Sequence, residues 1–134
     1  MKRMLTLFVM TAFCVLLCAC GGDVSNVKIT PVESNLFSQE DITAAENIII
    51  NEFRINWSGC ALKELRYAGD DWSKEFQNWK NIYEADEAIV LLSSFEVDSS
   101  GGDGSLNPNS TYTDFNWILV RNKGGQWEHK DHGY

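Results

Sequence analysis

Residues able to carry positive charge, chelate metals or form disulfides are scarce in this 134-residue chain, and each shortage excludes something. Eleven Lys and Arg stand against nineteen Asp and Glu, a formal net charge of −8. A surface of that sign repels phosphate backbones and anionic headgroups, which argues against nucleic-acid binding and against membrane attachment by charge alone. His129 and His132 are the only histidines, fewer than the three or four protein ligands of an ordinary zinc site. On an unbroken strand, residues three apart point to opposite faces, so this pair would share an ion only if the chain turned after Lys130. Of four cysteines, Cys14, Cys18 and Cys20 crowd into the first twenty residues and Cys60 stands alone. Residues beyond 20 can therefore form no internal disulfide and no cysteine metal cluster. Cys60, with no histidine near it in sequence, reads as a small buried hydrophobe opening a strand. No Ser/His/Asp set, P-loop, dinucleotide fingerprint or internal repeat occurs. The N-terminal apolar run, residues 4–17, is too short to span a bilayer comfortably.

That run is framed in an informative way. Lys2 and Arg3 precede it, and Leu17-Cys18-Ala19-Cys20 closes it. The arrangement resembles a bacterial lipoprotein signal with its lipobox. The resemblance implies that residues 1–19 are a signal peptide and that Cys20 is the lipidation site, modified with diacylglycerol, and no cofactor is expected. Only a thiolate can form that thioether, and the peptidase needs a small residue, here Ala19, before it. Two acyl chains on one residue hold a protein stably where a single chain would not. The expected location is the extracytoplasmic face of the cell membrane, with the membrane partnered through the lipid. Loss of Lys2 and Arg3 leaves nine basic against nineteen acidic residues, a net −10.

Residues 20–36 mix Gly, Ser, Asn, Asp and Pro31 and read as the lipidated cysteine with a flexible tether, reaching roughly 20–25 Å. The alternation at residues 27–30 is the one place where a short edge strand could be added. Residues 37–134 read as a single small domain. Ser38 is a natural N-cap, Asp41 completes an acidic capping box, and Phe37 and Ile42 occupy the staple positions. Ile42, Ala45, Ile49, Phe53 and Trp57 follow at helical spacing, with Glu40, Glu46 and Glu52 off that stripe, and Gly59 stops the helix. Residues 60–67 read as a strand with Leu65 and Tyr67 on one face and Leu62 on the other. Trp72, Phe76, Trp79 and Tyr83 form the stripe of a second helix, expected to face the core. Residues 87–98 and 112–121 are strands separated by a Gly/Ser/Asn-rich loop, and Asn122-Lys123-Gly124-Gly125 turns the chain into a last strand. The expectation is α+β: two helices packed on a curved, mostly antiparallel four-stranded sheet, cone-like. Phe115, Trp117 and Leu119 share one face of their strand, and Ile118 and Val120 the other. A sheet apolar on both faces needs two covers. With both helices placed on one side, the second cover would be a pocket, the curl of the sheet, or a partner subunit, which motivates a homodimer.

This order of elements, ending in a tryptophan-bearing strand, resembles the nuclear-transport-factor-two-like, cystatin-like cone. Three stretches carry a narrower likeness: Asp86-Glu87-Ala88-Ile89-Val90-Leu91-Leu92-Ser93-Ser94-Phe95, Gly101-Gly102-Asp103-Gly104-Ser105-Leu106-Asn107-Pro108-Asn109, and Trp117-Ile118-Leu119-Val120-Arg121 with Gly133-Tyr134. They resemble a group of small lipoproteins of gut-type Gram-positive bacteria with no assigned activity. The wider superfamily holds isomerases, dehydratases and plain binding modules, so the resemblance implies a fold and leaves the function open.

A cone enzyme needs an ionisable group inside an apolar cavity. On straight alternation Asp114 shares its face with Tyr112, Asn116, Ile118 and Val120, which makes Asp114 and Tyr112 the candidate catalytic residues. The default for Asp114 is a polar residue at a strand mouth. Asp98 and Asp103, in a Gly-rich, oxygen-rich loop, are the candidate calcium ligands, although the EF-hand spacing is absent. The function expected from the sequence is a lipid-anchored, extracytoplasmic, non-catalytic module. It would bind a protein partner, a second copy of itself or a small ligand at the open sheet face and the loop of residues 99–110. The alternative is a small enzyme or ligand carrier with an apolar cavity.

Overall fold

A computed structural model describes residues 21–134. The leader and Cys20, with the expectations placed on them, lie outside the described residues.

The first helix, α1 (Gln39–Asn56), begins as its capping pattern requires. The Ser38 hydroxyl accepts from the Asp41 N–H at 3.1 Å, and the Asp41 carboxylate accepts from the Ser38 N–H. Ile42, Ala45, Ile49 and Phe53 are buried, as their spacing dictates. Glu46, expected off the stripe, is buried with them at 6% exposure.

Five strands lie side by side in chain order in one open sheet: β1 (Lys28–Thr30), β2 (Cys60–Tyr67), β3 (Glu87–Val97), β4 (Thr111–Arg121) and β5 (Glu128–Gly133). β1 runs parallel to β2, and the remaining neighbours are antiparallel. The α+β class stands, with five strands in a mixed sheet where four were expected. The extra strand comes from the segment expected to be a tether. Asp23 donates its N–H to Cys60 O and accepts from Leu62 N–H, both at 2.8 Å, and Lys28 to Thr30 then pair with Glu64 to Arg66. Without this segment the outer edge of β2 would present a row of unpaired peptide groups. The Gly22 N–H meanwhile reaches the Phe53 and Arg54 carbonyls at 3.1 Å each, giving a partner to the Arg54 carbonyl near the end of α1 and a second donor to the Phe53 carbonyl, which also accepts from Trp57 N–H. Glycine is required there, because a Cβ on residue 22 would stand 2.4 Å from Phe53 O.

Three β-bulges set which residues meet. One inserts Lys63 between Leu62 and Glu64 in β2. The second opposes Ser94 with both Thr113 and Asp114, with Asp114 in the left-handed region at φ 52°. The third inserts Lys130 between His129 and Asp131 in β5. Each bulge interrupts the two-residue period and moves a side chain to the other face. Leu62 therefore joins Leu65 and Tyr67 in the core instead of opposing them. Tyr112 stacks on Phe95, ring centroids 5.0 Å apart, on the face opposite the rest of its expected group.

The second helix divides into α2 (Asp70–Glu75) and α3 (Asn78–Ile82). Ser73 is its one fully buried position; of the aromatic stripe Phe76 and Trp79 are half-buried, like Gln77, while Trp72 is 46% and Tyr83 39% exposed. Beyond the end of β2, the β3 backbone would lack a neighbour. The Ser73 hydroxyl accepts from Val90 N–H, and the Gln77 amide donates to Ala88 O and Ser73 O, so side chains replace the missing ladder. The same pair of helices packs over the second sheet face, where Trp72 Nε1 donates to Asn116 Oδ1 at 2.9 Å. Ala88, Val90, Ile118 and Val120 are buried there. The helices thus divide between the two faces, and α2 and α3 supply the cover that the sequence reading left to a pocket, a curl or a partner.

Candidate binding cleft

The space between α1 and the sheet is full. Ile49, Phe53, Leu91 and Trp117 meet there with no exposed surface, and Trp117 Nε1 donates to the buried Ser93 hydroxyl at 2.7 Å. An apolar catalytic cavity of the cone type would occupy this volume.

A cleft lies at the end of the domain where α1 stops. It measures about 390 Å³ and runs between the last turn of α1, the loop after β3 and the ends of β4 and β5. Its aromatic wall is Trp57 and Phe115, with Leu106 from the loop opposite. Trp57 is the hub: it stacks on Phe53 at 5.4 Å and meets Phe95, Phe115 and Trp117 edge-on at 5.4, 5.9 and 5.0 Å. Five aromatic rings locked in this way form a rigid surface, and Glu52 and Asp103 add carboxylates at the rim.

The loop forming the far wall is held by its own residues. Asp98 accepts from the Ser100 backbone N–H and hydroxyl, and Asp103 makes the same turn with Ser105. These serine hydrogen bonds hold both carboxyls below the ordinary Asp range. The two aspartates line different clefts, and no group of three metal-ligating side chains occurs among the described residues. Each of the two carboxylates is engaged by the serine two residues on.

The structure does not bring Asp114 and Tyr112 together. Asp114 is exposed and accepts from Arg66 Nη2 at 3.0 Å on the second face, beside Glu64. Tyr112, on the core face, accepts from Asn107 N–H at 3.1 Å and so pins the loop to Phe95. The bulge between them separates the pair. Cys60 is buried as read, and its burial pushes the thiol pKa up, which disfavours a reactive thiolate.

The histidines are where the structure departs furthest from straight alternation. The extra residue at Lys130 puts His129 opposite Leu119 and His132 opposite Trp117, on one face. Their rings lie 5.3 Å apart, and His132 packs against Trp57, Trp117 and Phe115 at 5.1, 5.3 and 5.8 Å. Burial, reinforced by His132, lowers the His129 pKa. Sequence reasoning missed the shared face because no residue type announces a bulge at Lys130.

No family model, curated protein or solved structure matches this chain.

Proposed function

We propose that this protein is a lipid-anchored, extracytoplasmic, non-catalytic binding module. Its ligand would have an apolar body and a positively charged group and would sit in the cleft beside Trp57. One observation carries the binding reading: the cleft sets an ordered aromatic wall, Trp57 and Phe115, beside the carboxylates of Glu52 and Asp103. Apolar surface with a few placed polar groups is the usual composition of a ligand site, and an aromatic face beside carboxylates suits a cation. The filled interior favours binding over catalysis. The cone-like likeness belongs to this proposal and is supported by one long helix packed on an open, mostly antiparallel sheet. The anchoring reading is supported by the residue types around Cys20. None of the helices among the described residues is long and apolar enough to cross a membrane.

Two measurements test the proposal. Labelled palmitate supplied to an expressing bacterium should enter the wild-type chain and not a Cys20→Ser variant, and equal labelling of the two would refute the anchor. A short peptide containing Lys and Trp should bind the folded protein and lose affinity in Leu106→Arg, which crowds the cleft with like charge. Undiminished binding in that variant would place the ligand elsewhere.

A further inference from the structure

A second site adjoins the cleft. His132 Nδ1 lies 3.3 Å from His129 Nε2. The two nitrogens are close enough to share a hydrogen bond. Two imidazole nitrogens bound to one tetrahedral ion, each about 2.0–2.1 Å from it, stand about 3.3 Å apart, so the same separation also admits a shared ion. We propose that His129 and His132 bind a divalent zinc-like transition ion through His129 Nε2 and His132 Nδ1.

The surroundings favour this. His132 is exposed but packs against the rings of Trp57, Trp117 and Phe115, and His129 sits against Trp117 at 5.3 Å, so aromatic contacts orient both imidazoles. Glu52 on α1 lines the adjoining cleft together with His132 and brings a carboxylate to the neighbourhood of a cation. Coordination uses the lone pairs of two neutral imidazoles. With two protein ligands, the other positions on a four-coordinate ion are left to water or to a donor atom of a molecule in the cleft. Imidazole suits zinc, copper and nickel, whereas calcium and magnesium prefer oxygen ligands. The inference goes beyond the proposed function and stands apart from it, since ion binding does not require an organic ligand or an attached lipid.

The test uses the full-length chain purified in detergent without a histidine tag. Calorimetry with zinc should show one equivalent binding in the micromolar range. Cobalt should give the intense visible d–d absorption of a tetrahedral site, and nickel should quench the emission of the adjacent Trp57 and Trp117, while magnesium has no effect. His129→Asn and His132→Asn should each weaken zinc binding at least about tenfold. Both should keep the near-ultraviolet dichroism of the native core. Absence of heat at millimolar zinc, or equal zinc affinity in the double variant, would overturn the proposal. Because zinc is read directly, neither result depends on peptide binding or on acylation.

Discussion

Glu46 offers the sharpest test of the packing. It lies on α1 among Ile42, Ala45 and Ile49, 6% exposed, and desolvation raises its pKa from 4.5 to about 7. The native state then binds more protons at this site than the unfolded chain between pH 4.5 and 7. Stability must fall as pH rises across that window. Above pH 7 both states are ionised and the full penalty applies, about 3 kcal/mol at 1.36 kcal/mol per pKa unit. Glu46→Gln keeps the shape and removes the charge. It should match the wild type near pH 4 and exceed it by up to about 3 kcal/mol near pH 8. Urea unfolding at a series of pH values measures this. The difference between the two proteins isolates residue 46 from the general repulsion of an acidic chain, which both share. A constant offset with pH, or no gain at pH 8, would refute desolvation as the cause.

Three further changes probe the frame. Gly22→Ala should drive a Cβ into the Phe53 carbonyl and ring, costing about 1–3 kcal/mol and exposing residues 23–30 to limited proteolysis; an unchanged cleavage rate would mean the N-terminal segment is not seated as described. Trp117→Phe should leave the Ser93 hydroxyl without its buried partner and lower stability by about 1–3 kcal/mol in urea unfolding, and an unchanged midpoint would contradict that bond. Asp114→Gly should be nearly neutral in thermal melting, losing an exposed ion pair while relieving a left-handed backbone. Asp114→Val should cost about 1–2 kcal/mol, and equal melting of the two would remove the bulge as the reason for the conformation.

The helix α1 was legible because each of its signals is local. Ser38 and Asp41 lie three residues apart, and the stripe from Ile42 to Phe53 follows one period. The core strands were legible for the same reason: residues 88–92 and 117–120 are apolar throughout, so register hardly mattered to the assignment. Face assignments failed wherever a bulge intervened, at Lys63, Asp114 and Lys130, because an inserted residue inverts every later position and is decided by pairing across strands. The aromatic stripe misled for a related reason. Its spacing suited one continuous helix, but the segment divides into two, β3 carbonyls and N–H groups take Ser73 and Gln77 as partners, and only Phe76 and Trp79 of the stripe stay half-buried. The cleft shows both effects together. Its aromatic residues were all named, but the loop and the bulge that assemble Trp57, Phe115 and His132 depend on contacts between residues far apart in the chain.

Gly21 and Gly22 carry a consequence for how such a protein would meet its surroundings. A Cβ at position 21 would lie 2.0 Å from Arg54 O, so the chain hugs the folded body from its first described residue. With acyl chains on Cys20 as proposed, only one peptide step, about 3.8 Å, separates the lipid attachment from the end of α1. The body would ride flush on the bilayer with little slack, its cleft at the rim nearest the lipid. Ligands would arrive laterally, by diffusion within the plane, and those already embedded in the leaflet would have the shortest path.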